Sequence, residues 1–317
     1  MMKAVVTGGA GFIGSTLVDR LLGEGNEVVV VDNFDDYYSG KMRFLQPHVG
    51  KEGFRLDEVD ILDLDSLRRS FEGADVVFHL AAQAGVRISV KDPMKAHMAN
   101  TTGTLNVLLA AKNAGVKRVV SSSSSSVYGN VRKLPVKETD PTVPISPYAA
   151  SKLAAEEYCR LFYDLYGLQS VSLRYFTVYG PRQRPDMAIR IFTERALSGQ
   201  RPQIYGDGDQ TRDFTFISDV VDAICRCADC PDPKGQPLNV CSGRRITVNQ
   251  VVKRILEAAG RPDLKPEYLP SQQGDVDHTW GDNTRAKELL GWEPKVPIEK
   301  GVVDFVQWYK KFRDLMN

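Results

Sequence analysis

The chain has 317 residues, which is long enough to bury a large hydrophobic core in one two-part unit or two closely associated domains. Its 41 basic residues balance 40 acidic residues, so no charge excess points to nucleic acid or a membrane surface as a partner. No apolar run reaches the roughly 18 residues of a transmembrane helix, and a predicted strand at residues 3–7 stands where a signal peptide would, so we expect a soluble cytoplasmic protein.

Short apolar strands alternate with helices along the first half of the chain. The pattern predicts strands at residues 4–6, 27–31, 75–80, 117–121 and 170–174, and helices at 12–22, at 93–114 and around Tyr148. Such repeats are typical of an α/β fold with a Rossmann-type doubly wound parallel sheet. A strand at 238–240 is expected to return to this sheet. We predict a dinucleotide-binding Rossmann domain at 1–176, to which 217–242 return, and a smaller interleaved α/β substrate-binding lobe mainly from 177–317.

Five cysteines suit reduced thiols better than a disulfide framework. Three of them, Cys225, Cys227 and Cys230, are close enough in sequence to raise the question of a metal site. They fall in a segment that predicts one amphipathic helix from about residue 219, and no second CxxC or histidine pair accompanies them. We therefore predict buried or half-buried thiols and no metal site.

A glycine loop follows the first predicted strand and opens the first predicted helix. Bare backbone at Gly8, Gly11 and Gly14 would allow a pyrophosphate to approach, and the start of the helix favours its charge. Asp32 ends the second strand, where a carboxylate accepts hydrogen bonds from ribose hydroxyls and repels a 2′-phosphate, so NAD is favoured over NADP. The other predicted cofactor contacts are Phe12, Ile13, Asn33, Asp60, Ile61, Leu80, Ala81, Ala82, Asn100, Tyr148, Lys152 and Tyr175.

Tyr148 and Lys152 are four residues apart, so their side chains share one face of a helix. An ammonium held there would favour the phenolate and lower the tyrosine pKa from about 10 towards working pH. Such a phenol can take a proton from a sugar hydroxyl. The dinucleotide bound at the glycine loop would be the hydride acceptor that the proton transfer needs. Together they predict redox chemistry at a carbinol carbon.

These motifs, with the serine run that ends in Val127-Tyr128-Gly129, resemble the extended short-chain dehydrogenase/reductases, in the branch of NDP-sugar epimerases and dehydratases. The resemblance covers essentially the whole chain. It implies that Ser124 is the catalytic serine, with Ser125 and Ser126 as the next candidates. It also implies that Lys152 holds the nicotinamide ribose. A homodimer through the helices around 93–114 and 147–167 is expected on the same ground.

The two positions before Val127 separate the chemistries within this branch. Dehydratases that resemble this chain carry an Asp-Glu pair there, and UDP-xylose synthases typically carry a Glu. Here the positions hold Ser125 and Ser126, so elimination lacks its acid and base. Epimerisation needs neither.

The substrate is predicted to be a UDP-hexose. Arg212 resembles the family's diphosphate clamp, and Asp275 resembles the partner that fixes this region against the nucleotide. Several segments resemble UDP-glucuronate 4-epimerases more than UDP-galactose 4-epimerases, which usually carry Asn in place of Thr177. The candidates for holding the sugar and its C6 carboxylate are Arg87, Ser125, Ser126, Thr177, Val178 and Arg184.

The predicted reaction is the NAD-dependent conversion of UDP-glucuronate to UDP-galacturonate through a transient 4-keto sugar. The nearest alternative is a UDP-glucose 4-epimerase; a reductase or dehydratase of NDP-sugars and a non-catalytic NAD-binding module are more distant ones. For single residues, Arg184 could serve loop packing or phosphate, and Arg212 could form a surface ion pair.

Overall fold

A seven-stranded parallel sheet forms the centre of the structure, a computed structural model that describes residues 1–131, 133–230, 233–270 and 276–313. The strands of these residues are β1 (Lys3–Thr7), β2 (Glu27–Asp32), β3 (Phe54–Glu58), β4 (Val76–His79), β5 (Arg118–Ser124), β6 (Gln169–Tyr175), β7 (Thr177–Tyr179), β8 (Gln203–Tyr205), β9 (Thr211–Arg212), β10 (Phe214–Phe216), β11 (Pro237–Val240), β12 (Ile246–Thr247) and β13 (Glu267–Leu269). The order in the large sheet is β11-β6-β5-β4-β1-β2-β3. It changes direction between β1 and β4, where a crevice opens at the carboxyl ends of the strands.

Helices cover both faces of this sheet. In the described residues they are α1 (Phe12–Gly23), α2 (Lys41–Leu45), α3 (Leu64–Ser70), α4 (Val86–Lys91), α5 (Pro93–His97), α6 (Gly103–Asn113), α7 (Pro147–Tyr166), α8 (Ala188–Leu197), α9 (Ile217–Arg226), α10 (Val248–Ala259), α11 (Thr284–Leu290) and α12 (Ile298–Phe312). Among the residues that the structure describes, no helix has the length and apolar character needed to cross a membrane.

Strands β1, β2 and β4 are mostly apolar because both of their faces are buried. Successive side chains of β2 alternate between two hydrophobic clusters: Val28 and Val30 belong to the cluster on the side of α1, and Val29 and Val31 to the cluster on the side of α6. This arrangement confirms the predicted Rossmann-type α/β fold.

The helix that carries Tyr148 begins at a position set by local sequence. The Ser146 hydroxyl caps α7 by accepting a hydrogen bond from the Ala149 amide at 3.1 Å, and Pro147 occupies the first helical position. Gly167, with φ of 69°, ends the helix in the left-handed conformation. The start of α7 therefore fixes which face of the helix turns towards β5.

Three predicted elements differ from those observed. The predicted helix at 93–114 is divided by a π-helical turn, Met98–Thr102, between α5 and α6. Strand β5 continues to Ser124 because it stays paired with β6 along its whole length. Helix α9 ends at Arg226, so Cys227 and Cys230 lie beyond it.

The later segments add three two-stranded sheets, β7 with β10, β8 with β13 and β9 with β12. One continuous hydrophobic cluster contains Leu17 of α1, Val220 of α9, Val252 of α10 and Phe305 of α12. Strand β11 joins the edge of the large sheet beside β6. The late segments thus share a core with the sheet.

Candidate active site

The glycine loop turns from β1 into α1 with no room for side chains. Gly8 has φ of 70°, and a Cβ there would lie 2.6 Å from the Ala81 nitrogen. A Cβ on Gly14 would lie 2.1 Å from the Gly8 carbonyl oxygen. No side chain caps the start of α1, whose first residue follows Gly11. The amides of this first turn are therefore available to an anion.

Asp32 is bonded to this loop from the end of β2. One of its carboxylate oxygens accepts from the Ala10 amide at 3.0 Å and the other from the Phe34 amide at 2.9 Å. Burial raises the pKa of Asp32, and the two backbone hydrogen bonds oppose the rise. Each oxygen keeps a further lone pair for a ligand hydroxyl.

A cavity of about 320 Å³, which we call the glycine-loop cavity, opens above these residues. All but one of the predicted cofactor contacts line it, namely Gly8, Gly11, Phe12, Ile13, Gly14, Asp32, Asn33, Asp60, Ile61, Leu80, Ala81, Ala82, Tyr148, Lys152 and Tyr175. Asn33 and Asp60 are joined by a 2.9 Å hydrogen bond across the ends of β2 and β3. Residues at the carboxyl ends of neighbouring strands thus meet at one edge of the sheet.

Asn100 is the exception, and its contact with the cofactor stays a prediction. Its side chain is fully buried in the π-helical turn and does not line the glycine-loop cavity. It accepts from the Gln83 amide at 2.8 Å and donates to the Gln83 carbonyl and the Ser151 hydroxyl. Asn100 therefore ties the cavity wall at Gln83 to α7.

A buried histidine supports the loop from below. Thr104 donates to the Asn100 carbonyl, so its oxygen is free to accept from His79 Nε2 at 2.9 Å, and His79 Nδ1 then accepts from Thr7 at 2.8 Å. Burial lowers the pKa of His79 to about 3, with a further contribution from Lys152. The ring is thus neutral and structural.

The Ser124 side chain lies close enough to Tyr148 to lower its pKa, and its hydroxyl donates to the Ser126 hydroxyl at 3.1 Å. The pKa of Tyr148 is raised by burial, while Ser124 and then the charge of Arg184 act to lower it. The prediction that Lys152 sets a lowered tyrosine pKa is therefore wrong for this structure. Desolvation outweighs the neighbouring charges.

Lys152 instead donates from Nζ to the Ser122 carbonyl oxygen at 2.8 Å. Only 4% of its surface is exposed, and burial lowers its pKa to about 8. The lysine thus connects α7 to the end of β5, next to the strand positions that carry the candidate serines.

The serine run divides between two sides of β5. The Ser123 hydroxyl donates to buried Glu156, which forms an ion pair with Arg174 at 2.7 Å. Arg174 also donates to the Tyr128 hydroxyl at 2.9 Å. Ser124 points the other way, towards Tyr148, because side chains alternate along a strand.

A second cavity of about 690 Å³, the serine cavity, lies beyond Ser124. Its lining includes the predicted residues Arg87, Ser124, Ser125, Ser126, Tyr148, Thr177, Val178, Arg184 and Arg212. Asp275 lies outside the described residues. Tyr148 and Arg184 line both cavities, so the Tyr148 hydroxyl stands where the two meet.

Arg184 is already paired within its own loop. Its guanidinium donates to both carboxylate oxygens of Asp186, at 3.1 and 3.2 Å. This pairing was not predicted. Asp186 also lines the serine cavity, so the pair brings one positive and one negative group to the same wall.

Sequence reasoning missed several residues of both cavities. In the glycine-loop cavity they include Tyr37, Tyr38, Lys41, Gln83 and Lys95. In the serine cavity they include Tyr205, Gln210, Phe214, Val251, His278 and Trp280. Nothing in the spacing of Tyr37 and Tyr38 along the sequence marks their two rings as cavity walls. The others come from distant segments that only the fold brings together.

The sequence is similar to those of known sugar-nucleotide enzymes along nearly its whole length. Residues 5–305 match the protein family described as GDP-mannose 4,6 dehydratase. The chain is 42% identical over 315 residues to a UDP-glucose 4-epimerase of Mycolicibacterium smegmatis, covering 98% of this chain and 99% of that protein. It is 39% identical over 319 residues to a UDP-glucuronate 4-epimerase of Thermodesulfobacterium geofontis, covering 99% and 98%.

Among solved structures, the UDP-glucuronic acid 4-epimerase of Bacillus cereus in complex with UDP-glucuronic acid and NAD has a TM-score of 0.93. It is 34% identical, and the match covers 98% of this chain and 100% of that one. The protein therefore belongs to the GDP-mannose 4,6-dehydratase family of extended short-chain dehydrogenase/reductases, which includes the sugar-nucleotide 4-epimerases.

Proposed function

We propose that this protein is an NAD-dependent 4-epimerase of a UDP-hexose. The observation that carries the proposal is the position of Tyr148, with Ser124 beside it, at the junction of the two cavities. The neighbouring positions, 125 and 126, hold serines and no carboxylate that could remove water. The family relationship to 4-epimerases supports the same chemistry.

The glycine-loop cavity fits NAD. A pyrophosphate would be held by the uncapped amides after Gly11, where any side chain at Gly14 would collide with backbone. Asp32 would hold a ribose through its remaining lone pairs, and Asp60 would border the adenine. Bound there, the nicotinamide supplies a reversible acceptor for hydride from a carbinol carbon.

The protein's own groups move the proton. Tyr148 takes the proton of the sugar 4-hydroxyl, with Ser124 bridging the two oxygens, and returns it when the opposite configuration forms. Burial disfavours the phenolate, and Ser124 and the charge of Arg184 counter this. The 690 Å³ of the serine cavity gives a 4-keto sugar space to present its other face.

We propose UDP-glucuronate as the substrate. Thr177, Arg184 and Arg87 line the serine cavity and offer charge-assisted hydrogen bonds to a C6 carboxylate. Holding that group matters because the 4-keto intermediate is a β-keto acid. It would lose carbon dioxide if the carboxylate could rotate into alignment with the carbonyl.

A neutral UDP-hexose is the second candidate, and the Arg184–Asp186 pair favours it. A uronate must take the place of Asp186 on the guanidinium, whereas a neutral sugar can leave the ion pair intact. The relationship to a UDP-glucose 4-epimerase agrees with this alternative.

Turnover of each UDP-sugar by the purified protein, followed by NMR at C4, tests both the epimerase activity and the identity of the sugar. Interconversion of UDP-glucuronate and UDP-galacturonate, without release of carbon dioxide, is expected. Conversion of UDP-glucose alone would replace the uronate by the neutral hexose. Elimination or no turnover of either sugar would contradict the proposed epimerase.

We also propose that the protein is a homodimer through α6 and α7. Leu165 and Tyr166 at the end of α7 are 66% and 51% exposed, and Leu161 is 37% exposed. A second copy would bury these side chains. Sedimentation of Leu165→Glu against wild type tests this, because a charge at the interface should shift the dimer towards monomer. Equal sedimentation as dimers would contradict this interface.

We propose that residues 1–176 with 217–242 bind the cofactor. The remaining residues of 177–317 mainly bind the sugar. The return of β11 to the large sheet and the packing of α9 with α1 support it.

A further inference from the structure

Two cysteines lie together at the end of the sheet opposite both cavities. Cys227 caps α9 and Cys230 follows three residues later, beside the first residue of β5. Cys227 is fully buried and Cys230 is 7% exposed. The Cys230 thiol donates a hydrogen bond to the Cys227 carbonyl oxygen at 3.4 Å. This CxxC pair has no part in the proposed epimerisation.

Arg118 binds this turn from the start of β5. Its Nη1 lies 2.9 Å from the Cys227 carbonyl, 3.2 Å from the Ala228 carbonyl and 2.7 Å from the Cys230 carbonyl. The same nitrogen lies 3.2 Å from Cys230 Sγ. Carbonyls at a helix C-terminus repel a thiolate, and a guanidinium among them offsets that repulsion.

The two thiols differ in acidity. The neighbouring Cys227 thiol lowers the pKa of Cys230, against the effect of burial and with help from Arg118. The same neighbour relation, together with burial, raises the pKa of Cys227. Because Arg118 lies 3.2 Å from Cys230 Sγ, Cys230 is the thiol of the pair that is placed to ionise.

The remaining cysteines lack this arrangement. Burial raises the pKa of Cys159 to about 11 and that of Cys225 to about 12. Cys241 is likewise buried, and its pKa is raised well above the ordinary value. Since the thiolate is the reactive form, selectivity for Cys230 is expected.

We propose that Cys227 and Cys230 form a redox-active dithiol that hydrogen peroxide converts to an intramolecular disulfide. The Cys230 thiolate attacks one peroxide oxygen, the O–O bond breaks, and hydroxide leaves and is protonated to water. The resulting sulfenic acid is attacked at sulfur by Cys227, which loses its proton as a second water leaves. Two thiols and one peroxide become one disulfide and two waters.

Mass spectrometry of the full chain tests this. The protein is treated with hydrogen peroxide, alkylated under denaturing conditions, and mapped by peptides with and without reduction. We expect a loss of about 2 Da, a Cys227–Cys230 cross-link, and alkylation of the other three cysteines. Dithiothreitol should restore the two thiols. If both cysteines stay fully alkylatable, or if the cross-link joins Cys225 or Cys241, the proposal is wrong.

Variants separate the roles of the two sulfurs. Cys227→Ala should stop at a Cys230 sulfenic acid that dimedone traps, whereas Cys230→Ser should give no adduct at Cys227. The matched control Cys225→Ser, two residues before the pair, should form the disulfide at the wild-type rate. Dimedone labelling spread equally over all cysteines would overturn the assignment. If the Cys227 variant fails to fold, the wild-type peptide map alone decides.

Discussion

The two cavities that meet at Tyr148 are built in different ways. The glycine-loop cavity is formed at the ends of adjacent strands of one sheet, and its shape depends on bare backbone at Gly8 and Gly14. Buried hydrogen bonds that Asp32 and Asn100 accept from backbone amides hold its walls. Its geometry is therefore part of the fold itself.

The serine cavity is formed by side chains from β5, α4, the loop after β7, three small sheets and α10. Some contacts between these segments are made by single side chains, such as Arg87 above the Tyr205 ring at 5.7 Å. Substitutions here can change which sugar is held without disturbing the sheet. We thus expect loss of stability and cofactor from changes on one side, and changed specificity from changes on the other.

The largest effect is expected where the cavities meet. Tyr148→Phe removes the hydroxyl that exchanges the proton, so kcat should fall about 10³-fold with the thermal midpoint little changed. Epimerisation followed by NMR measures the loss. Tyr166→Phe, at the exposed end of the same helix, is the control and should turn over like wild type. Retained turnover in Tyr148→Phe would contradict its proposed role.

The glycine loop provides the next largest effect. Gly14→Ala places a Cβ 2.1 Å from the Gly8 carbonyl oxygen, so backbone must move. Unfolding should become easier by about 2–3 kcal/mol, and copurified NAD should be lost. Gly23→Ala, at the other end of α1 and with nothing within 4 Å of its Cβ, should be neutral or stabilising. If the two variants had equal stability and equal amounts of copurified NAD, the glycine-loop cavity would not depend on bare backbone at Gly14.

Substitutions in the serine cavity should change the specificity for the sugar and leave stability unchanged. Arg184→Lys keeps the charge but removes the planar fork, so kcat/KM for UDP-glucuronate should fall about 10- to 100-fold. The value for UDP-glucose and the thermal midpoint should change little. Arg182→Lys, whose arginine pairs with Asp19 at 2.7 Å, is the control. Equal losses for both sugars would assign Arg184 to packing or phosphate.

The smallest effect concerns Lys152, whose pKa burial lowers to about 8. Below that pH the lysine is charged in both the folded and unfolded states, and the folded state bears the full cost of burying it. Between pH 8 and the ordinary lysine pKa of about 10.4, the unfolded state binds more protons, so stability rises with pH.

Urea denaturation of wild type and Lys152→Met at several pH values between 7 and 10 measures this. The advantage of the methionine variant should shrink as the pH rises through 8. A constant difference between the two proteins would show that Lys152 does not titrate there in the folded protein.

Much of the glycine-loop cavity could be predicted because its signals are local. Strand, glycine turn and helix follow one another in sequence, so the spacing of Gly8, Gly11 and Gly14 already implies their geometry. The hydrogen bonds of Asn100 with Gln83 and Ser151 could not be predicted, because the π-helical turn that directs its side chain has no simple sequence pattern.

Less of the serine cavity could be predicted, because its walls come from segments far apart in sequence. Arg184 was found through resemblance, but its pairing with Asp186 depends on loop conformation. The same limit applies to the thiols: the helical pattern placed Cys227 and Cys230 inside a helix that ends before them.

The sequence by itself determined the Rossmann sheet, the glycine turn and the helical face shared by Tyr148 and Lys152, because short-range periodicity and spacing control these features. Only the tertiary structure decided the protonation of that pair. Burial raises the pKa of Tyr148 and lowers that of Lys152, and burial depends on what the whole fold places around them.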